Sequence, residues 1–209
     1  MRLGIFGGTF NPIHFGHLRA AEEVRLAVGL DEVLFVPSHI PPHKELAGGS
    51  TARQRLETVK LAIGGNPHFR LSSFEVEQGG SSYSIRTIEH VRASYGITPY
   101  FILGRDAFNE ISTWHRAGEL FGLANFVATS RPGSPAFVLG DVLGGLAADF
   151  RADGAGYVHT SGNRILFTEV TALDISSSLV RGLCRSGKSI TYLVPREVEE
   201  YIKEEGMYA

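Results

Sequence analysis

The sequence predicts an α/β fold, a Rossmann-like doubly wound parallel sheet built by a single domain over residues 1–209. Three observations predict it. Short apolar runs bounded by Gly, Pro or Asn alternate with longer stretches whose apolar residues recur every three or four positions. The short runs are apolar throughout, as strands of a sheet covered on both faces must be. A glycine pair closes the first run and leads into a helix, at the point where such sheets carry their ligand.

The predicted strands are Leu3 to Phe6, Glu32 to Val36, Tyr100 to Leu103, Phe126 to Ala128 and Ile165 to Phe167. Between and after them, the apolar spacing predicts helices over His17 to Val28, Ala52 to Ile63, Ser84 to Tyr95, Ser176 to Cys184 and Arg196 to Glu204. Strand–helix–strand succession implies right-handed crossovers and a parallel sheet, with a helical portion from about residue 176. Residues 133–163 are rich in Gly and Ala; a helix over Val138 to Phe150 and a polar loop over Gly154 to Asn163 are expected there, with no function attached.

At 209 residues and 43% hydrophobic, the chain can bury a substantial core. Its formal net charge of −2 gives no electrostatic reason to bind nucleic acid or an anionic membrane, so a polyanionic ligand must be held by a local cluster. The single cysteine, Cys184, can form no intrachain disulfide and no zinc ribbon, which suits a reducing cytoplasm. The first apolar run is too short for a signal peptide or a membrane span.

The segment Gly7-Gly8-Thr9-Phe10-Asn11-Pro12-Ile13-His14-Phe15-Gly16-His17 follows a strand and opens a helix. Adjacent glycines let a phosphate approach the backbone, and the helix N-terminus adds free N–H groups and partial positive charge. His14 and His17 can both face a triphosphate, with Gly16 removing the side chain that would crowd it. The same spacing would suit a metal pair, but Phe15 stands where a zincin motif carries its Glu and no third ligand is apparent.

Asp174-Ile175-Ser176-Ser177-Ser178-Leu179-Val180-Arg181 has the pattern of a second helix start, with Ser176 as the cap and Arg181 a turn or so along. An arginine there can bind phosphate oxygens in a bidentate manner. The overlapping run Gly182 to Ser189 satisfies GxxxxGK[ST], but a P-loop must leave a buried strand and enter a long helix. Here helix precedes it and Pro195 follows, so Gly187 is expected to end the helix.

Three further stretches bear chemistry. Val36 to Lys44 is a proline-pinned loop ending in His43-Lys44. Gly79-Gly80-Ser81-Ser82-Tyr83-Ser84 precedes a helix and offers amides and hydroxyls to a small carboxylate. Gly104-Arg105-Asp106 ends a strand, and Trp114 follows among polar neighbours, which argues for a half-exposed ring able to stack on an aromatic ligand.

These motifs, in this order, resemble the HxGH nucleotidyltransferase superfamily and, within it, the bacterial nicotinate mononucleotide adenylyltransferases. His14-Phe15-Gly16-His17 is similar to the HxGH signature and DISSSLVR to the ISSTxxR signature, with Ser178 in place of Thr. Ser130-Arg131-Pro132-Gly133 and residues 192–202 extend the likeness over most of the chain. The resemblance implies transfer of the adenylyl group of ATP to nicotinate mononucleotide, with His14, His17 and Arg181 as catalytic residues. It implies ATP contacts at Gly7, Gly8, Thr9, Phe10, Gly104, Asp106, Ile175, Ser176 and Ser177. Pyridine mononucleotide contacts fall on Lys44, Ser82, Tyr83, Ser84, Trp114, His115 and Arg131. Mg²⁺ is expected to be held mainly by substrate phosphates rather than by a protein metal site. The expected partners are small molecules, neither nucleic acid nor membrane, and a homo-oligomer stays open. So do another acceptor, nicotinamide mononucleotide or phosphopantetheine, and a non-catalytic nucleotide sensor. Asn11 (commonly Asp), Arg86 (commonly Asp) and Arg105 (usually small) depart from the family pattern.

Overall fold

The structure, a computed structural model, describes residues 1–42, 49–133, 137–154 and 156–209. The chain begins β1 (Leu3–Gly8), α1 (Phe15–Val28), β2 (Glu32–Pro37), α2 (Ala52–Ile63), β3 (Phe69–Leu71) and α3 (Phe74–Gln78). It continues α4 (Ser84–Tyr95), β4 (Tyr100–Gly104), α5 (Arg105–Asn109), α6 (Ala117–Leu123) and β5 (Asn125–Ser130). The last part is α7 (Leu139–Leu143), β6 (Phe150–Asp153), β7 (Gly156–His159), β8 (Arg164–Glu169), α8 (Ser177–Arg185) and α9 (Arg196–Glu204).

The strands form one sheet in the order β3-β2-β1-β4-β5-β8-β7-β6. From β3 to β8 every pair is parallel, while β7 and β6 run antiparallel. Strand order reverses between β1 and β4, so the crevice beyond Gly8 and Gly104 is where a ligand of such a sheet is expected.

Side-chain alternation explains the two layers. Val33 and Phe35 of β2, Ile102 of β4 and Val127 of β5 pack into one core with α1, α2 and α9. Leu3, Ile5, Leu34, Val36, Phe101, Leu103 and Phe126 point the other way, into a core with α4 and α6. A period of two with both faces apolar is what a doubly covered strand requires. At Gly4 an added Cβ would lie 2.8 Å from Leu30 Cδ1 and 2.9 Å from Ile102 Cδ1, so glycine lets Leu30 and Ile102 close over β1 without shifting.

Two expectations are corrected. Residues 138–150 form only short α7 and a 3₁₀ segment (Gly144–Asp149), and Phe150 already belongs to β6. The polar stretch after it is not a loop: β7 occupies Gly156–His159, and with β6 and β8 it adds the antiparallel strands that make the sheet mixed. Short connections dictate that direction, since parallel strands need a long crossover. In the β7–β8 turn Gly162 adopts φ +90° and donates to His159 O at 2.9 Å. The GxxxxGK[ST] run is a helix end, as expected: Gly187 has φ +62°, its N–H reaches Cys184 O, and Lys188 N–H reaches Leu183 O at 2.9 Å, a Schellman closure of α8.

Candidate active site

The β1–α1 loop is built tightly. Its left-handed residue is Phe10 (φ +46°), not a glycine, and the ring is buried against Phe35 and His17. Gly8 is needed because a Cβ there would sit 3.0 Å from the Phe10 ring. The Asn11–Pro12 peptide is cis. Helix α1 starts two residues earlier than expected, with His14 as its N-cap and His17 in its first turn. The two imidazoles therefore face each other, with ring centroids 3.7 Å apart. Gly16 fits beneath them because a Cβ would meet His14 Nδ1 at 3.0 Å.

Helix α8 meets this loop head on. Ser176 caps it by accepting from Leu179 N–H at 3.1 Å, as its sequence predicts. Ser177 Oγ donates to Pro12 O at 2.8 Å, and Arg181 Nη1 donates to Asn11 O at 2.7 Å. Arg181 Nε is buried without a partner, as is His14 Nδ1. Unmet buried polar atoms are costly unless a ligand completes them.

Burial also sets the charge of the pair. Desolvation, helped by the nearby Arg131 cation, lowers His14 to a pKa of about 4. Desolvation followed by the proximity of His14 holds His17 well below 6.5. Both rings are neutral at neutral pH. His17 Nδ1 accepts the His14 backbone N–H at 3.3 Å, which assigns its proton to Nε2.

A cleft of about 1210 Å³ runs from this junction along the sheet's carboxyl edge. It is lined by Gly7, Gly8, Thr9, Phe10, His14, His17, Ser82, Ser84, Gly104, Asp106, Trp114, Arg131, Ile175, Ser176, Ser177 and Arg181, so most sequence-selected positions share one cavity. Trp114 is half-buried, edge-on to Phe101 at 6.1 Å. Ser84 opens α4 and turns that helix's N-terminus toward the cleft. Tyr83 and His115 are not part of the lining; their rings pack on each other at 4.5 Å. Lys44 lies outside the described residues. The Arg105 guanidinium rests over Phe137 and Phe167, at 4.9 and 5.8 Å.

Two residues that organise the cleft escaped sequence reading. Arg55 is fully buried and donates to Thr9 O at 2.7 Å and His39 O at 2.8 Å, tying the β1–α1 loop to the segment after β2. A cation on the buried stripe of α2, with Val59 and Ile63, was the signal available. Glu75, on a helix too short to show periodicity, lines the cleft and accepts from Thr87 Oγ1; burial raises its pKa above the usual carboxylate range. Nearby, Ser82 Oγ accepts from His39 N–H at 2.8 Å and Ser82 N–H donates to Ile40 O at 2.9 Å, joining the proline loop to the serine loop.

Comparison with known proteins matches the cytidylyltransferase-like family over residues 5–183. The chain is 46% identical to a probable nicotinate-nucleotide adenylyltransferase of Geotalea daltonii, over 100% of this chain and 98% of the relative. It is 43% identical to one of Desulfatibacillum aliphaticivorans, over 100% of both chains. The chain belongs to the nicotinate-nucleotide adenylyltransferase family.

Solved structures share the fold of this family member at low identity. A Plasmodium falciparum nicotinic acid mononucleotide adenylyltransferase complexed with NaAD superposes with a TM-score of 0.73 at 17% identity, covering 99% of this chain and 97% of that one. A putative Vibrio parahaemolyticus nicotinate-nucleotide adenylyltransferase gives 0.64 at 19%, covering 100% and 96%.

Proposed function

We propose that this chain transfers the adenylyl group of ATP to the phosphate of nicotinate mononucleotide, releasing pyrophosphate and forming nicotinate adenine dinucleotide for NAD synthesis. The observation that carries the reading is the junction of the β1–α1 loop with α8, where Arg181 is bonded to Asn11 O in the lining of the cleft that His14 and His17 also line. Full-length identity of 46% to a probable nicotinate-nucleotide adenylyltransferase supports it.

In this reading the mononucleotide phosphate oxygen attacks the ATP α-phosphorus in line. The new P–O bond forms as the bond to the bridging oxygen of pyrophosphate breaks. The nucleophile is already an anion, so no general base is needed, and catalysis rests on position and charge neutralisation. Neutral His14 and His17 donate N–H groups to the triphosphate, and Arg181 supplies the compensating charge. Gly7, Gly8, Thr9, Phe10, Ile175, Ser176 and Ser177 form the wall along the nucleotide, and Asp106 beside Gly104 contacts a sugar. Trp114 stacks on the pyridine ring, while Ser82, Ser84 and the backbone near Tyr83 and His115 receive its carboxylate. Lys44 and Arg131 serve phosphate.

Magnesium enters with ATP. Among the described residues no three His, Cys, Asp or Glu side chains cluster, and the acidic groups along the cleft include Asp106, Glu110 and Asp141. A hard cation would be held there mainly by substrate phosphate oxygens, with these carboxylates as the nearby protein groups, and would offset phosphate charge. Cytoplasmic residence, where Cys184 stays reduced, is part of the same proposal. Among the described residues no helix is long and apolar enough to cross a membrane.

The test is pyrophosphate release from MgATP with nicotinate mononucleotide, nicotinamide mononucleotide and phosphopantetheine side by side. Fastest release with the nicotinate form is expected. Release with phosphopantetheine alone, or with none of the three, overturns the reading.

A further inference from the structure

The segment that follows α9 does not trail away from the fold. Gly206 (φ +59°) closes the helix in a Schellman turn, with Gly206 N–H to Lys203 O at 3.3 Å and Met207 N–H to Ile202 O at 2.9 Å. That turn carries Met207 and Tyr208 into the core that holds Phe10, Ile13 and Val180, where they are 6% and 4% exposed. Tyr208 takes φ +65°, a conformation rarely adopted by a bulky residue.

We propose that Tyr208 is a positioning residue for the catalytic junction, acting through Asn11. Its phenol O–H donates to Asn11 Oδ1 at 2.8 Å, and Ser50 Oγ donates to the same oxygen at 2.6 Å. Asn11 is itself buried, and its main-chain carbonyl receives Arg181 Nη1 at 2.7 Å. One residue thus carries both the clamp and the seat: Tyr208 and Ser50 fix the Asn11 side chain, and the Asn11 carbonyl fixes the guanidinium. Three residues further on, the same loop delivers His14. Losing the Tyr208 hydroxyl removes one of the two donors on Asn11 Oδ1, loosens the hold on that side chain and lets the spacing between Arg181 and the histidines relax.

The protonation state of the phenol agrees with a donor role. Burial pushes its pKa up to about 12, so the O–H is present throughout the working range. Because Asn11 Oδ1 is an amide oxygen, it must be met by donors, and a tyrosine and a serine hydroxyl supply them.

This inference rests on reading the cleft as the triphosphate site. Tyr208→Phe keeps the ring and removes only the hydroxyl. Its kcat for pyrophosphate release should fall about fivefold, the size of one net buried hydrogen bond, with KM for the pyridine mononucleotide unchanged. Arg181→Lys should also slow turnover, and adding Tyr208→Phe to it should cost less than adding it to the wild type, because the two residues act through one residue, Asn11. Unchanged kcat in Tyr208→Phe, full additivity with Arg181→Lys, or loss of folding without a kinetic effect on the folded fraction each overturns the proposal, leaving Tyr208 as packing alone. A wild-type chain that releases no pyrophosphate sinks the functional reading instead, so the two failures are told apart.

Discussion

His14 and His17 lie face to face, ring centroids 3.7 Å apart and planes 30° from parallel, in a pocket where desolvation keeps both neutral. The folded-state pKa of each is below the ordinary 6.5, so the unfolded chain binds more protons than the folded one between pH 6.5 and about 4. Their contribution to stability is full above pH 6.5 and is lost as pH falls toward 4. Urea unfolding at pH 7.5 and pH 5 should show wild type losing more stability on acidification than His14→Gln. Equal losses in the two proteins would show that His14 is not desolvated.

The proposed role of His17 as a donor to the triphosphate has a direct consequence. Replacing it with alanine should reduce kcat by roughly 10²-fold or more, the usual size for one transition-state donor, with folding preserved by circular dichroism. Near-normal turnover in His17→Ala would remove that role.

Gly16 has no Cβ to press on the His14 ring. In Gly16→Ala the methyl would start 3.0 Å from His14 Nδ1, so the ring must swing by a few tenths of an ångström. The backbone there is ordinary helix, so stability should change by only about 1 kcal/mol, while kcat falls at least tenfold. A variant as active as wild type would show that His14 can shift freely.

Arg55 tests how far the loops depend on one buried cation. Truncation to alanine strips Thr9 O and His39 O of their donor and empties a fully buried volume. Two lost charge-assisted bonds predict a destabilisation of about 3 kcal/mol, measured by denaturant midpoint at constant slope. A change below 1 kcal/mol would mean that water replaces the guanidinium without cost.

The layered frame was legible because its signals are periodic and local. Helices α2, α4 and α9 run over the residues their apolar spacing predicts, and the chief strands begin and end within a residue or two of their apolar runs. Strand β3, three residues long, and β7, a four-residue segment amid glycine and polar residues, are too brief to carry a period. Both gain their hydrogen bonds from neighbours placed by the rest of the sheet.

At the site the same division holds. The glycines, His14, His17, Ser176 and Arg181 were readable in sequence because a strand end and two helix starts dictate their own backbone geometry within a few residues. What packing alone supplied is the meeting of those pieces. Arg55 reaches Thr9 across 46 positions, Arg181 reaches Asn11 across 170, and Tyr208 reaches Asn11 across 197. The neutral state of the histidines has the same origin, since desolvation depends on everything that surrounds a ring and cannot be read from the residues beside it in the chain.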